Sequence, residues 1–193
     1  MGGSSATKRT IALALIKLSQ TKAFDKISVQ DITKEAGLNR QTFYYHFSDK
    51  FDLLRWIYQQ DAFIYLNTED VNIDNWEEQA LKMLKAIIEE KDFFFNTVKA
   101  CPDILQNDFS AVTKKLLFAL FEEMDADKEL LPEDKEFYAR FLSYGCSGVL
   151  LNWILAGYQE TPLTIATQLF RLAKDIEFFS YRIYQQDIDD SVF

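Results

Sequence analysis

The sequence predicts an all-α protein, an N-terminal three-helix head joined to a larger helical body. Three observations carry this. Only six glycines and three prolines interrupt 193 residues, so few positions resist a helix. Apolar residues make up 48% of the chain and recur at three- and four-residue spacing rather than alternating. Capping residues stand at the start of several of these runs, and glycine or proline stands near their ends. The apolar share is enough for a sizeable core in one medium domain, or in a small domain joined to a larger one.

Taken in order, the first helix is expected from about Thr7 to Thr21, with Ile11, Leu15 and Leu18 as its buried stripe. Phe24 and Ile27 tuck the connection beneath the next two helices. Val29, Ile32 and Ala36 recur at i, i+3 and i+7, and Ser28 can cap their helix, with Asp31 three residues on as a weaker form of the capping box. Gly37 ends that helix, because it reaches positive φ at little steric cost. Asn39 caps a short segment in which Phe43 and Phe47 share one face, and Ser48 is expected to cap a helix running from about Asp49 to Tyr65. Two short helices joined by a tight glycine turn make a helix-turn-helix, whose second helix enters the major groove of DNA.

The Asn/Asp-rich stretch from Asn67 to Asn75 separates head from body. Helices are then expected at Trp76–Glu90, Asp92–Ala100 and Asp108–Met124, with Pro102 as a break and Asp125 to Pro132 as a polar loop. The last two are long, about Glu133–Tyr158 and Pro162–Gln185, the latter with Thr161 as cap and Pro162 at the first helical position. Gly145 and Gly148 interrupt the former at a cost of about 1 kcal/mol each against Ala, a cost that close approach of another helix would offset. The division expected is 1–50 for the head and 51–193 for the body.

At the helix-turn-helix the chain resembles the DNA-binding half of the TetR family of transcriptional regulators. Ser28-Val29-Gln30-Asp31-Ile32, Ala36-Gly37-Leu38, Tyr44-Tyr45-His46-Phe47, Lys50 and Leu53-Leu54 all fall in that family's register, over roughly the first third of the chain. Arg40 to Tyr44, Asp49-Lys50, Asp52-Leu53-Leu54 and Trp56-Ile57 are further similar to a branch containing activators of dihydroxyacetone-kinase operons. Lys91-Asp92-Phe93-Phe94 and the run from Gly145 to Trp153 resemble it too. In that branch a kinase-like co-activator protein carries the ligand and docks on the regulator.

Charge agrees with a DNA-binding head. Residues 1–60 carry nine Lys/Arg against five Asp/Glu, a net of +4, while the rest of the chain carries −13. A cationic head can approach phosphates while the acidic body stays in solvent. With Phe43 and Phe47 inward, 100° per residue places Gln41 and Tyr45 outward, Thr42 on a flank and Arg40 at the exposed end. Arg can fork onto guanine, Gln onto adenine, and Thr can touch a thymine methyl. Arg40, Gln41, Thr42 and Tyr45 are therefore the base-reading candidates, and the resemblance adds Gln30. It also implies Ser28, Tyr44, His46 and Lys50 as phosphate contacts, which position the protein without reading sequence.

Enzymatic chemistry finds little footing. His46 is the single histidine and lies within the helix-turn-helix. Gly145-Cys146-Ser147-Gly148 lacks the final glycine of a nucleophile elbow, since position 149 is Val149. Cys101 and Cys146 have no metal-ligand spacing and read as reduced core thiols of a cytoplasmic protein. No cofactor is expected, and no apolar run is long enough to span a membrane.

The body then has two expected tasks. The last helix pair, with Leu163, Ala166, Phe170, Ala173 and Ile176 on one apolar face, can bury that face against a second copy and form a homodimer suited to a palindromic operator. The aromatic residues Phe94, Phe118, Phe121, Tyr144 and Trp153 are candidates for an effector pocket. The effector is left open between a metabolite, a drug-like apolar compound and a co-activator protein. The competing reading is a helical protein-interaction module that docks a co-activator and lacks specific DNA binding.

Overall fold

The computed structural model describes residues 2–66, 69, 71–125, 130–172 and 175. Among them no strand occurs. The chain divides into two compact units, Met1–Gln159 and Glu160–Phe193.

In the first unit, α1 (Gly2–Ser19) leads through a 3-10 turn (Phe24–Lys26) to α2 (Val29–Glu35), α3 (Arg40–His46) and α4 (Lys50–Asp61). Ile11, Leu15, Phe24, Ile27, Ile32, Phe43 and Leu53 are all at most 1% exposed, while Leu18, Val29 and Ala36 of the expected stripes are half-buried. Ser28 and Asp31 close a full capping box rather than a weak one: the Asp31 N–H donates to Ser28 Oγ at 3.2 Å and the Ser28 N–H donates to Asp31 Oδ2 at 2.8 Å. Gly37 ends α2 with φ 66°, a conformation costly for residues with a Cβ.

The start of α4 differs from expectation. Asp49, not Ser48, is its cap, with Asp49 Oδ1 accepting from the N–H groups of Phe51 and Asp52 at 2.8 Å each. An ionised carboxylate outbids a hydroxyl for those donors. The helix also ends early, at Asp61, and a 3-10 turn (Phe63–Tyr65) replaces its expected last turn. There Ala62 and Phe63 are fully buried, so packing, not propensity, sets the path.

The body contributes α5 (Trp76–Glu89), α6 (Lys91–Ala100), α7 (Pro102–Met124) and α8 (Pro132–Leu155). Pro102 opens α7 instead of merely breaking the chain, so that helix starts six residues before the expected Asp108. Helices α7 and α8 run antiparallel, joined mid-length by the hydroxyls of Ser110 and Ser147 at 2.6 Å. Near their linked ends the buried Lys135 ammonium bridges Glu122 and Asp125 at 2.7 Å each. Helix α8 stops three residues short of the expected Tyr158, through positive φ at Gly157 (77°) and Tyr158 (59°).

The close approach expected at Gly145 and Gly148 is absent: among the described residues nothing lies within 4 Å of a Cβ built at either. Both glycines are on the exposed side of α8. The second unit, by itself, shows helical residues 162–172, opened by the Thr164 N–H donating to Thr161 Oγ1 at 3.1 Å. That is the cap expected there. Ala173 and Ile176 lie outside the described residues.

Candidate nucleic-acid interface

The site is the outward face of α3. Asn39 opens the helix, its Oδ1 accepting from the Thr42 N–H at 2.8 Å and the Thr42 hydroxyl at 3.0 Å. Phe43 and Phe47 pack inward with ring centroids 5.9 Å apart, and Phe47 meets Trp56 of α4 at 5.9 Å. This anchoring turns the other side of the helix to solvent. Tyr45 is 82% exposed, Tyr44 is 51% exposed, and Arg40 and Gln41 are exposed as well. Among the described residues the side chains of Arg40 and Gln41 have no hydrogen-bonding or ionic partner, so their donors and acceptors stay available. Gln30 is exposed on α2. Thr42 is half-buried with its hydroxyl engaged by Asn39, which leaves its methyl as the group to offer a base.

The expected phosphate residues divide. Tyr44 packs its ring edge-on against Phe43 at 5.5 Å, and His46 meets Tyr45 at 4.9 Å. Tyr44 thus has one side on the core and the other in solvent. Ser28 is committed locally, since its hydroxyl donates to Asp31 Oδ2 at 2.7 Å within the capping box. Asp31 also receives the Lys22 ammonium at 2.8 Å. Lys22, then the N–H and O–H of Ser28, hold the Asp31 carboxyl well below the usual carboxylate range.

Lys50 departs furthest from expectation. Its ammonium donates to the carbonyl oxygens of Phe24 and Ile27 at 2.9 Å and of Asp25 at 3.3 Å, and lies 4.6 Å above the Phe24 ring. An ammonium has three N–H donors, and all three are taken. In this structure Lys50 ties α4 to the α1–α2 connection and keeps no N–H over for the phosphate expected of it. Sequence spacing gave no sign of this, because the carbonyls it meets lie 23 to 26 positions upstream.

The five expected effector residues do not converge. Phe94 is buried and stacks on Tyr58 at 5.4 Å, while Trp153 is buried against Tyr158 at 5.0 Å. Phe118 and Phe121 are half-buried on α7, Phe121 meeting Tyr138 at 6.4 Å. Tyr144 is 60% exposed, on the outer side of α8. A cleft of about 640 Å³ lies elsewhere, between the α1–α2 connection and α6, lined by Lys22, Asp25, Asp92, Phe95, Asn96 and Lys99 among others.

Of the expected dimer residues, Leu163 is exposed, and Ala166 and Phe170 are half-buried. The sequence reading missed the outer face of α8: Phe137, Phe141, Tyr144, Gly148 and Leu155, at i, i+4, i+7, i+11 and i+18, all exposed. That spacing was legible, but the inner face of α8 mixes Lys135, Ser143 and Ser147 with Leu150, Trp153 and Ile154, so apolar residues mark no single stripe.

Comparison with known proteins agrees with this architecture. Residues 11–57 match the profile of "Bacterial regulatory proteins, tetR family", and residues 74–175 match that of a "Transcriptional regulator C-terminal region" of the same group. The chain is 27% identical over 159 residues to the HTH-type dhaKLM operon transcriptional activator DhaS of Lactococcus lactis subsp. lactis, covering 81% of this chain and 84% of that one. A solved structure of a dihydroxyacetone kinase operon activator DhaS superposes with a TM-score of 0.69 at 26% identity, over 86% of this chain and 93% of the other. NalD, the secondary repressor of the MexAB-OprM multidrug efflux pump in Pseudomonas aeruginosa, shares the fold with a TM-score of 0.62 at 21% identity, over 87% and 94%. With the exposed α3 face held on a three-helix head, the chain belongs to the TetR family of DNA-binding transcriptional regulators.

Proposed function

We propose that the protein is a cytoplasmic homodimer in which two heads, each residues 1–50, read the halves of a palindromic operator through Arg40–Phe47. The bodies, residues 51–193, join the copies and receive the effector. The observation that carries the reading is the unpartnered polar face of α3. Arg40 and Gln41 read purine edges, Thr42 and Tyr45 complete the face, and Gln30 reaches the groove from α2. Tyr44 and His46 hold phosphates beside it.

The outer face of α8 supports dimerisation through the body. Phe137, Phe141 and Tyr144 stand in solvent beside glycines that leave room for another helix. Leu163, Ala166, Phe170, Ala173 and Ile176 are the residues of the second unit that this reading assigns to dimerisation.

The likeness to DhaS suggests activation as the sign of regulation and an operon of dihydroxyacetone-kinase type as target. Phe94 and Trp153 are core rather than cavity walls, which favours a co-activator protein docking on the body over a small molecule enclosed within it. Selection of genome fragments by the purified protein, followed by sequencing, tests the reading. The expected result is one palindromic motif upstream of a kinase operon; recovery of fragments with no common motif would sink it and leave the interaction module lacking specific DNA binding.

A further inference from the structure

We propose that Asn96, on body helix α6, is a positioning residue for the DNA-binding head, setting the direction in which α3 faces without touching DNA. Its carboxamide makes three hydrogen bonds to the α1–α2 connection. Asn96 Oδ1 accepts from the Phe24 N–H at 3.0 Å, and Asn96 Nδ2 donates to the carbonyls of Ser19 at 2.7 Å and Lys22 at 2.9 Å. Ser19 ends α1, where carbonyls have no partner within the helix. One acceptor and two donors in a plane are what a side-chain amide offers. Aspartate has no donors, and glutamine would reach too far by one methylene.

Phe24 is the hinge of the arrangement. Its N–H goes to Asn96 of the body, and its C=O goes to Lys50 of α4. Its ring is buried, so the residue cannot move freely to follow one partner and release the other. The neighbouring Thr97 Oγ1 accepts a hydrogen bond from the Tyr58 hydroxyl, on α4, at 2.7 Å. Adjacent residues of α6 thus hold both the α1–α2 connection of the head and helix α4, which carries Lys50 at its start. A displacement of α6 is transmitted to α1, α2 and α4 together, and with them to α3.

The test uses the full chain and the duplex it selects. Asn96→Asp and Asn96→Ala are compared with the unmodified protein by amide hydrogen exchange across residues 19–27 and by thermal midpoint. Affinity is measured for the selected duplex and for copies with the half-sites moved by one base pair. Exchange at Phe24 and its neighbours should quicken on the order of tenfold, and the preference for native spacing should narrow by a similar factor. Preference for operator bases over random ones should persist. Unchanged exchange would overturn the proposal. So would affinity falling alike on every duplex, in step with the thermal midpoint, with spacing preference intact.

The spacing arm rests on the two-headed reading proposed above. If the unmodified protein shows no spacing preference, that reading fails, and exchange across residues 19–27 alone decides for or against the Asn96 clamp.

Discussion

Among the described residues, helices α3 and α8 each leave one face exposed, and the two faces have opposite chemistry. On α3 the uncovered side carries Arg40, Gln41 and Tyr45, groups that hydrogen-bond and stack. On α8 it carries Phe137, Phe141 and Leu155, interrupted by Gly148, groups that gain by leaving water. An uncovered face is therefore informative only through its composition. Directional donors suit base edges; apolar bulk beside a glycine suits another helix.

The largest effect that could break this comparison lies on α8. Phe141, 66% exposed, has little to lose within one copy. Phe141→Glu should leave the helical content unchanged yet weaken self-association by about 2–4 kcal/mol, measured by sedimentation. A variant that stays dimeric at low concentration would place the interface elsewhere. Gly148→Leu is a sharper version, since nothing in the described chain opposes a side chain there.

Next in size is Arg40→Ala on α3, expected to cost about 1–3 kcal/mol on the selected duplex and much less on random sequence. Titration of both duplexes at one salt concentration measures it, and equal losses would refute base reading by Arg40.

Lys50→Met separates the face from its support. Because the ammonium holds three carbonyls, the variant should lose about 1–3 kcal/mol of folding stability in urea melts. The salt dependence of its DNA binding should keep the unmodified slope; a slope flatter by about one unit would restore the phosphate role.

The smallest effect concerns Asp31. Its folded pKa lies below the unfolded value near 4, so its contribution is present above that pH and fades as pH falls towards the folded value. Asp31→Asn should flatten the acid limb of the stability profile between about pH 4 and pH 2. An acid limb as steep as that of the unmodified protein would show that Lys22 and Ser28 do not hold that carboxylate.

How much of this was readable depended on the range of the interaction. The head was legible because its determinants are local: Ser28 with Asp31, Asn39 with Thr42, and Gly37 at positive φ all lie within one helix turn of their partners. The outward turn of Arg40, Gln41 and Tyr45 followed from Phe43 and Phe47 by helix geometry alone. Asp49 replaced Ser48 as a cap because two adjacent candidates differ only in charge, and spacing cannot rank them.

The aromatic residues of the body show the opposite case. Phe94, Phe121, Tyr144 and Trp153 look alike in a sequence, yet they ended as core, half-buried helix side and open surface. Helix α8 buries Lys135, Ser143 and Ser147 while exposing Phe137, Phe141 and Tyr144, so periodicity could not say which face turns inward.

The sequence by itself determined the helical class, the helix-turn-helix and the cationic head, because caps, periodicity and net charge act over a few residues or as simple sums. Only the tertiary structure decided that Lys50 meets three distant carbonyls, that Asn96 and Thr97 of α6 bond the α1–α2 connection and α4, and that Tyr144 is exposed. Those outcomes depend on which distant backbone groups and faces meet, and the meeting is set by packing of the whole core.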